Sequence, residues 1–226
     1  MDQGPHNSSS ASLRAEASTS SHSRRLVLWA TLGIVLALAF LVDGLVVEMV
    51  GPLRTSALSE FLRNSVRWLG TGYVQIAALL PVSVGGMLFR TRWHRGVASA
   101  FLAFAASGVA VTMLKVLIHR PRPWSANSLA DGGHHVHTSD CYAFPSGETT
   151  TTFAIAVVLA SWYPALRVPL FAVAAIVGVA RILVGSHHPS DVVAGALLGV
   201  ATAQIVIRST ASMGRPRPVP RVPKRA

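Results

Sequence analysis

The sequence predicts an all-α polytopic membrane protein that folds as a six-transmembrane-helix bundle. Of its 226 residues, 51% are hydrophobic and only 13% are charged, whereas about a quarter of the residues in a soluble domain are charged. The apolar residues occur in blocks long enough to cross a bilayer, which takes roughly 20 residues per helix. So high a content of aliphatic residues also excludes a chain that is disordered throughout.

Six apolar segments follow one another, and each is predicted to be a helix because backbone groups in lipid must bond within their own segment. The segments are residues 26 to about 47, 73–89, 97–118, 147–162, 168–184 and 191–207. The first could instead belong to a signal peptide, but it exceeds the usual length of about 7 to 15 residues and five further spans follow it. Between the first two segments, residues 53–69 mix apolar residues with Arg54, Glu60, Arg63 and Arg67, as an interfacial amphipathic helix would.

Two polar tails flank the predicted membrane domain, which covers residues 26–208. Residues 1–25 are rich in Ser and lack apolar periodicity, so they are predicted to be a disordered cytoplasmic tail. Residues 209–226 form a basic tail rich in Pro and Arg. Next to a membrane, such a tail is expected to lie against anionic lipid headgroups. A nucleic-acid-binding arm is the disfavoured alternative, so no nucleic-acid partner is predicted.

The distribution of basic residues predicts the orientation. With a cytoplasmic N-terminus, thirteen of the Arg and Lys residues fall on the inner side and seven on the outer side. Cytoplasmic loops of membrane proteins carry the excess of basic residues. We therefore expect both termini in the cytoplasm of a plasma membrane protein; its oligomeric state is not predicted.

Ionisable residues cluster near the ends of the predicted spans, where they are costly in lipid and usually functional. They are Lys115, Arg122, Glu148, Arg181, His187 and Asp191. Because the spans alternate in direction, all six positions fall at one membrane face, which is the extracytoplasmic face in the favoured orientation.

This cluster has the chemistry of a phosphate site. Lys115, Arg122 and Arg181 supply three cations, and an Arg can hold a phosphate through two parallel hydrogen bonds. Pro145 and Pro189 are tolerated at a first helical turn, so both loops are predicted to lead into helix N-termini. The free amides of a helix N-terminus also favour an anion.

His187 is the candidate nucleophile. Asp191 follows four residues later and therefore lies on the same helical face, where its carboxylate could orient the imidazole. A structural His–Asp pair and a metal ligand are the alternatives for this pattern, and His188 is a secondary candidate. Cys141 is the only cysteine, so a disulfide within the chain and a Cys-based metal site are both excluded.

Three motifs occur in order: Lys115-x6-Arg122-Pro123, Pro145-Ser146-Gly147 and Arg181-x5-His187-x3-Asp191. Together they resemble the signature of the type 2 phosphatidic acid phosphatase superfamily. The resemblance implies a membrane lipid phosphatase, a phosphohistidine formed on His187 and oriented by Asp191, and no metal or other cofactor. It also implies that the phosphoryl oxygens are bound by Lys115, Arg122, Ser146, Gly147 and Arg181. Phosphatidate-like lipids and polyprenyl diphosphates are the expected substrates.

Glu148 departs from this pattern, because the family has a His there that protonates the leaving group. Glu148 could act as the general acid after desolvation of its carboxyl group. A diphosphate substrate would need no strong acid, because its leaving group is already stable as an anion. As a further alternative, the proton could come from a histidine of the loop after the third span, which contains His119, His134, His135 and His137.

The predicted function is thus hydrolysis of a lipid phosphate monoester or diphosphate at the extracytoplasmic face. The alternatives are a catalytically weak phospholipid-binding membrane protein and a lipid phosphotransferase. The predicted partners are the lipid phosphate and the bilayer.

Overall fold

The computed structural model describes residues 6–89, 94–125 and 141–210 of the chain. In these ranges the regular structure is helical and no strand occurs, which confirms the predicted all-α class. The α-helices are α1 (His6–Val50), α2 (Ala57–Phe61), α3 (Arg67–Gly70), α4 (Gly72–Leu88), α5 (His94–Ile118), α6 (Gly147–Trp162), α7 (Arg167–Leu183) and α8 (Pro189–Thr210).

Five helical stretches in the described part of the chain are long and apolar enough to cross a membrane. The sixth predicted span, α6, has 16 residues and is about 24 Å long at 1.5 Å per residue, shorter than the roughly 30 Å hydrocarbon core. This helix lies in the centre of the bundle, in contact with α5, α7 and α8. The six predicted segments therefore correspond to six long helices. Five of these belong to stretches long enough to span a membrane, and α4 and α7 reach that length only together with the shorter helices that adjoin them.

The packing of the helices is that of a membrane bundle. Large apolar side chains such as Leu41 and Leu117 point outward and are 79% and 78% exposed, as expected of surfaces that face lipid. Small residues let α8 approach α6 closely. A Cβ on Gly195 would lie 2.7 Å from the carbonyl oxygen of Ser146, and one on Gly199 would overlap the carbonyl of Thr150. Gly195 and Gly199 thus form a small-residue seam, a common basis of helix association in lipid.

Residues 51–70, which we call the arginine segment, connect α1 to α4. The sequence predicted one amphipathic helix here, but the structure contains a 3-10 helix (Gly51–Thr55), α2, a π-helix (Leu62–Val66) and α3. A break falls at Ser56, whose extended backbone ends the 3-10 helix and whose side chain caps α2 by accepting the Ser59 N–H. The π-helix contacts α7, and α3 contacts both α6 and α7. The segment therefore folds over one end of the bundle.

Two predictions about helix starts are corrected by the structure. Helix α1 begins at His6, so within residues 6–25 the predicted disordered tail is corrected to helix. Extending an existing helix requires no new nucleus, and each added residue gains a hydrogen bond. Pro189 opens α8 as predicted, whereas Pro145 lies two residues before α6, whose N-cap is Ser146. Most of the predicted basic tail, residues 211–226, lies outside the described residues.

Candidate active site

The structure brings the three predicted motifs together at one end of the bundle. The Lys115 Nζ donates to the carbonyl oxygen of Tyr142 at 3.0 Å and lies beside Gly147. The Arg122 Nη1 donates to the carbonyl oxygen of Ser186 at 3.3 Å. These contacts join the end of α5 to the loop before α6 and to the loop between α7 and α8.

A cavity of about 590 Å³ opens at this end of the bundle. Its lining combines predicted site residues with the arginine segment: Arg54, Arg63, Arg67, Arg122, Trp124, Glu148, Arg181, Val184 and Ser186. Among the described residues, five guanidinium groups therefore line the cavity together with one carboxylate, that of Glu148. Such an arrangement favours an anionic ligand.

Two buried arginine nitrogens in the cavity wall have no hydrogen-bond partner among the described residues. They are Arg181 Nη2 and Arg54 Nε. A buried donor that is left unpaired costs free energy, and Arg binds phosphate oxygens readily. The orphaned nitrogens thus indicate where ligand oxygens can be accommodated.

His187, which follows Ser186 of the cavity lining in the chain, is buried. The Nδ1 of His187 lies 2.8 Å from the carbonyl oxygen of Ala143, which can only accept, so this nitrogen carries the proton and Nε2 keeps its lone pair. Burial lowers the pKa of His187 from 6.5 to about 4, an effect that the Arg122 charge reinforces and Asp191 opposes. The imidazole is therefore neutral at physiological pH, as a nucleophile requires.

Asp191 does not orient His187 in the way the sequence predicted. Its Oδ2 lies 3.6 Å from the His187 Nδ1, too far for a hydrogen bond. The same oxygen instead accepts from the His188 backbone N–H at 2.8 Å and lies 3.1 Å from the His188 Nδ1. The carboxylate thus holds the loop that carries His187, while the Ala143 carbonyl orients the ring.

Asp43 is a site residue that the sequence analysis missed. It is 6% exposed within α1 and accepts hydrogen bonds from Arg120 Nη2 at 2.6 Å, the Ser190 N–H at 2.9 Å and the Ser190 hydroxyl at 2.5 Å. The other Arg120 nitrogen, Nη1, donates to Asp191 Oδ1 at 2.7 Å. One guanidinium therefore bridges two buried carboxylates. A carboxylate within the first apolar segment was the available sequence signal, since such residues are rare in spans.

The predicted phosphate contact of the Ser146 amide is corrected, because this N–H donates to the carbonyl oxygen of Asp191 at 2.9 Å. The Ser146 hydroxyl is fully buried and accepts from Thr149 at 2.9 Å. Ser146 therefore joins the two loops instead of facing the cavity. Gly147 is the first residue of α6, and its amide is among the four at a helix start that have no intrahelical acceptor.

Glu148 forms an ion pair with Arg181, in which its Oε2 lies 2.8 Å from Nη1. A Cβ on Gly70 would lie 3.0 Å from the Glu148 Cβ, so the arginine segment packs closely against this side chain. Among the other candidate acids, His119 is exposed and its ring centroid lies 5.1 Å from that of Tyr142. His134, His135 and His137 lie outside the described residues.

The fold and the site define a class of protein: an all-α integral membrane protein with a buried neutral imidazole and an arginine-lined cavity at the same end of the bundle. Residues 96–218 match the model of the PAP2 superfamily. The chain belongs to this superfamily, which confirms the resemblance in the sequence.

Curated relatives and a solved structure agree with this assignment. The chain is 31% identical to a "Lipid A 1-phosphatase" of Rhizobium johnstonii over 76% of its own length and 75% of the relative's. It is 34% identical to a "Decaprenylphosphoryl-5-phosphoribose phosphatase" of Mycolicibacterium smegmatis, over 62% of this chain and 68% of that protein. A transmembrane PAP2-type phosphatidylglycerolphosphate phosphatase from Bacillus subtilis shares the fold, with a TM-score of 0.63, 22% identity and coverage of 85% of this chain and 98% of that one.

Proposed function

We propose that this protein hydrolyses a phosphate monoester or diphosphate of a membrane lipid at the extracytoplasmic face, through a phosphohistidine on His187. The observation that carries the proposal is the hydrogen bond from the His187 Nδ1 to the Ala143 carbonyl, which leaves the Nε2 lone pair free on the residue that follows Ser186 of the cavity lining. The relatives' names support phosphate removal from a lipid.

The proposed reaction has two displacements at phosphorus. First, the lone pair of the His187 Nε2 forms a P–N bond as the P–O bond to the lipid breaks. The leaving oxygen keeps the electron pair of the broken bond. An alkoxide oxygen then takes up a proton, whereas a phosphate oxygen can leave as an anion. Water then attacks the phosphorus, the P–N bond breaks, and inorganic phosphate departs. We assign to Lys115, Arg122 and Arg181 the stabilisation of the charge on the phosphoryl oxygens in both steps. Arg122 and Arg181 line the cavity, and Lys115 acts electrostatically on His187, which supports this assignment.

The position of Glu148 bears on the leaving group. Its Oε2 is engaged by the Arg181 Nη1 at 2.8 Å, so this side chain is not held free to act on a leaving oxygen. An alkoxide leaving group depends strongly on an acid, whereas a phosphate leaving group depends on it much less. We therefore infer that diphosphates are better substrates than phosphate monoesters. The general-acid role of Glu148 is retained as the alternative, in which phosphate binding separates the ion pair and the freed carboxyl group takes up a proton.

The decisive experiment measures phosphate release by purified protein in detergent from phosphatidate, geranylgeranyl monophosphate and geranylgeranyl diphosphate. We expect His187→Ala to abolish turnover. We also expect the wild-type protein to carry an acid-labile label after it reacts with a substrate labelled in its terminal phosphate. The matched control is His94→Ala, because His94 is the first residue of α5 and lies at the end of this helix away from Lys115. Undiminished turnover by His187→Ala would remove the covalent mechanism. Binding without release by the wild type would favour the catalytically weak lipid-binding protein, and transfer of the label to a lipid or sugar would favour a phosphotransferase.

The proposed orientation can be tested with the single cysteine. Cys141 is partly exposed and adjacent to Tyr142, which accepts from Lys115. If the site faces outward and the termini are cytoplasmic, a membrane-impermeant maleimide should label Cys141 in intact cells, and Cys141→Ser should abolish the labelling. Labelling that requires permeabilised cells would contradict the orientation.

A further inference from the structure

The arginine segment brings three cations to the cavity that the three motifs do not account for. Arg54, Arg63 and Arg67 all line it, and they come from the connection between the first two long helices. None of the three forms an ion pair with a carboxylate in the part of the chain that the structure describes. Their charge is therefore not neutralised by an ion pair within the described ranges.

Arg54 is the most firmly placed of the three. Gly185 has φ +72°, and a Cβ on it would lie 2.5 Å from the Arg54 Nε. The guanidinium thus rests directly on the backbone of Gly185, two residues before the nucleophile His187. Because the Arg54 Nε is buried and lacks a hydrogen-bond partner among the described residues, it is a ready donor to a ligand at this position.

Arg63 and Arg67 lie on the exposed side of the cavity. Both are near enough to repel the Arg181 guanidinium electrostatically, as Arg122 also does. The segment is held at its far end, where Gly70 fits closely against Glu148 and Val177. Like charges gathered in this way are unfavourable unless an anion lies between them.

Lys115, Arg122 and Arg181 already suit one phosphoryl group. We propose that Arg54, Arg63 and Arg67 form a second anion subsite, which holds the non-scissile phosphate of a lipid that carries two phosphates. This inference rests on the proposed function, because it assigns the substrate class of the same site. The two phosphates can be joined as a diphosphate or attached to separate positions of the headgroup. A volume of about 590 Å³ is within the range of small-molecule sites, roughly 300 to 1,000 Å³, and leaves room for either arrangement.

The test compares substrates with identical tails. For geranylgeranyl diphosphate and geranylgeranyl monophosphate, we expect the ratio of their kcat/KM values to fall about tenfold in the Arg63→Gln/Arg67→Gln variant, since each exposed charge contact contributes a few-fold. The control removes two exposed arginines outside the cavity, Arg167→Gln/Arg208→Gln, and should leave the ratio unchanged. A lipid with two separate phosphate monoesters forms a further arm, and a larger loss on it than on the diphosphate would identify separated phosphates as the preferred class.

The subsite proposal would be overturned if the Arg63→Gln/Arg67→Gln variant lost kcat/KM equally on both geranylgeranyl substrates. It would also be overturned if the variant lost no kcat/KM on either of the doubly phosphorylated lipids. A binding measurement separates failure of the subsite proposal from failure of the proposed function. It compares binding of the same lipids to the His187→Ala protein with and without the two arginine substitutions. Diphosphate binding that weakens about tenfold relative to monophosphate binding supports the subsite even if the wild type releases no phosphate. If the glutamine variant does not fold, as judged by thermal unfolding, Arg54→Lys serves instead. It keeps the charge but withdraws the Nε donor, so an unchanged substrate ratio there contradicts the proposal.

Discussion

Replacing Asp43 by Asn tests the buried network behind the nucleophile. The Asp43 carboxylate accepts three hydrogen bonds, one from Arg120 and two from Ser190. An Asn keeps one acceptor oxygen and turns an NH2 group toward one of these donors. Loss of one partner of a buried ion pair costs about 3–5 kcal/mol. Arg120 is 21% exposed at its side chain and keeps its bond to Asp191, so we expect about 2–3 kcal/mol of lost unfolding free energy.

The same substitution should lower kcat. Ser190 and Asp191 open α8 directly after the loop that carries His187, and a shift of about 1 Å in a reacting group can cost roughly 100-fold in rate. We expect a 10- to 100-fold loss of kcat with little change in KM, measured by phosphate release, together with a lower thermal unfolding temperature. Glu48→Gln, on the exposed surface of the same helix, is the control. Lower stability with a wild-type kcat would refute the positioning role, and unchanged stability would refute the energetic argument.

Three further predictions concern the site itself. Because the pKa of His187 is lowered to about 4, the acid limb of kcat/KM for the free enzyme should lie near pH 4. Folding free energy should also decrease as the pH falls from about 6.5 to 4, where the unfolded chain binds a proton that the folded one does not. A His187→Gln variant that shows the same loss in denaturant titrations would contradict this assignment. Glu148→Gln should reduce turnover of a monophosphate more than that of a diphosphate if Glu148 is the acid, and equal, negligible losses in the phosphate-release assay would exclude it. Gly185→Ala should destabilise the protein by about 1–2 kcal/mol because the backbone at this position has a positive φ. Overlap of the new Cβ with Arg54 should add to this loss. A wild-type melting temperature of the variant would contradict the close contact between Gly185 and Arg54.

Hydropathy alone predicted the positions of the long helices, because lipid leaves the backbone few alternatives to a helix. The predicted segment 147–162 coincides with α6, and the segment 97–118 ends where α5 ends. Spacing within the motifs, together with the alternating direction of the helices, was enough to predict that Lys115, Arg122, Arg181 and His187 would gather at one end. The segmentation of residues 51–70 was not predictable in this way, since a periodic pattern does not show where a 3-10 or π-helix interrupts it.

Tertiary structure decided which polar groups are partners. Asp43 and Ser190 are 147 positions apart in the sequence, so no local pattern predicts their contact. The Ser146 amide meets the Asp191 carbonyl, and His187 meets Ala143, only because two loops close on one another. A hydrogen bond depends on distance and angle within a few tenths of an ångström and some tens of degrees. Sequence spacing determines which residues share a helix face or a membrane face, whereas this finer geometry arises only when distant segments pack.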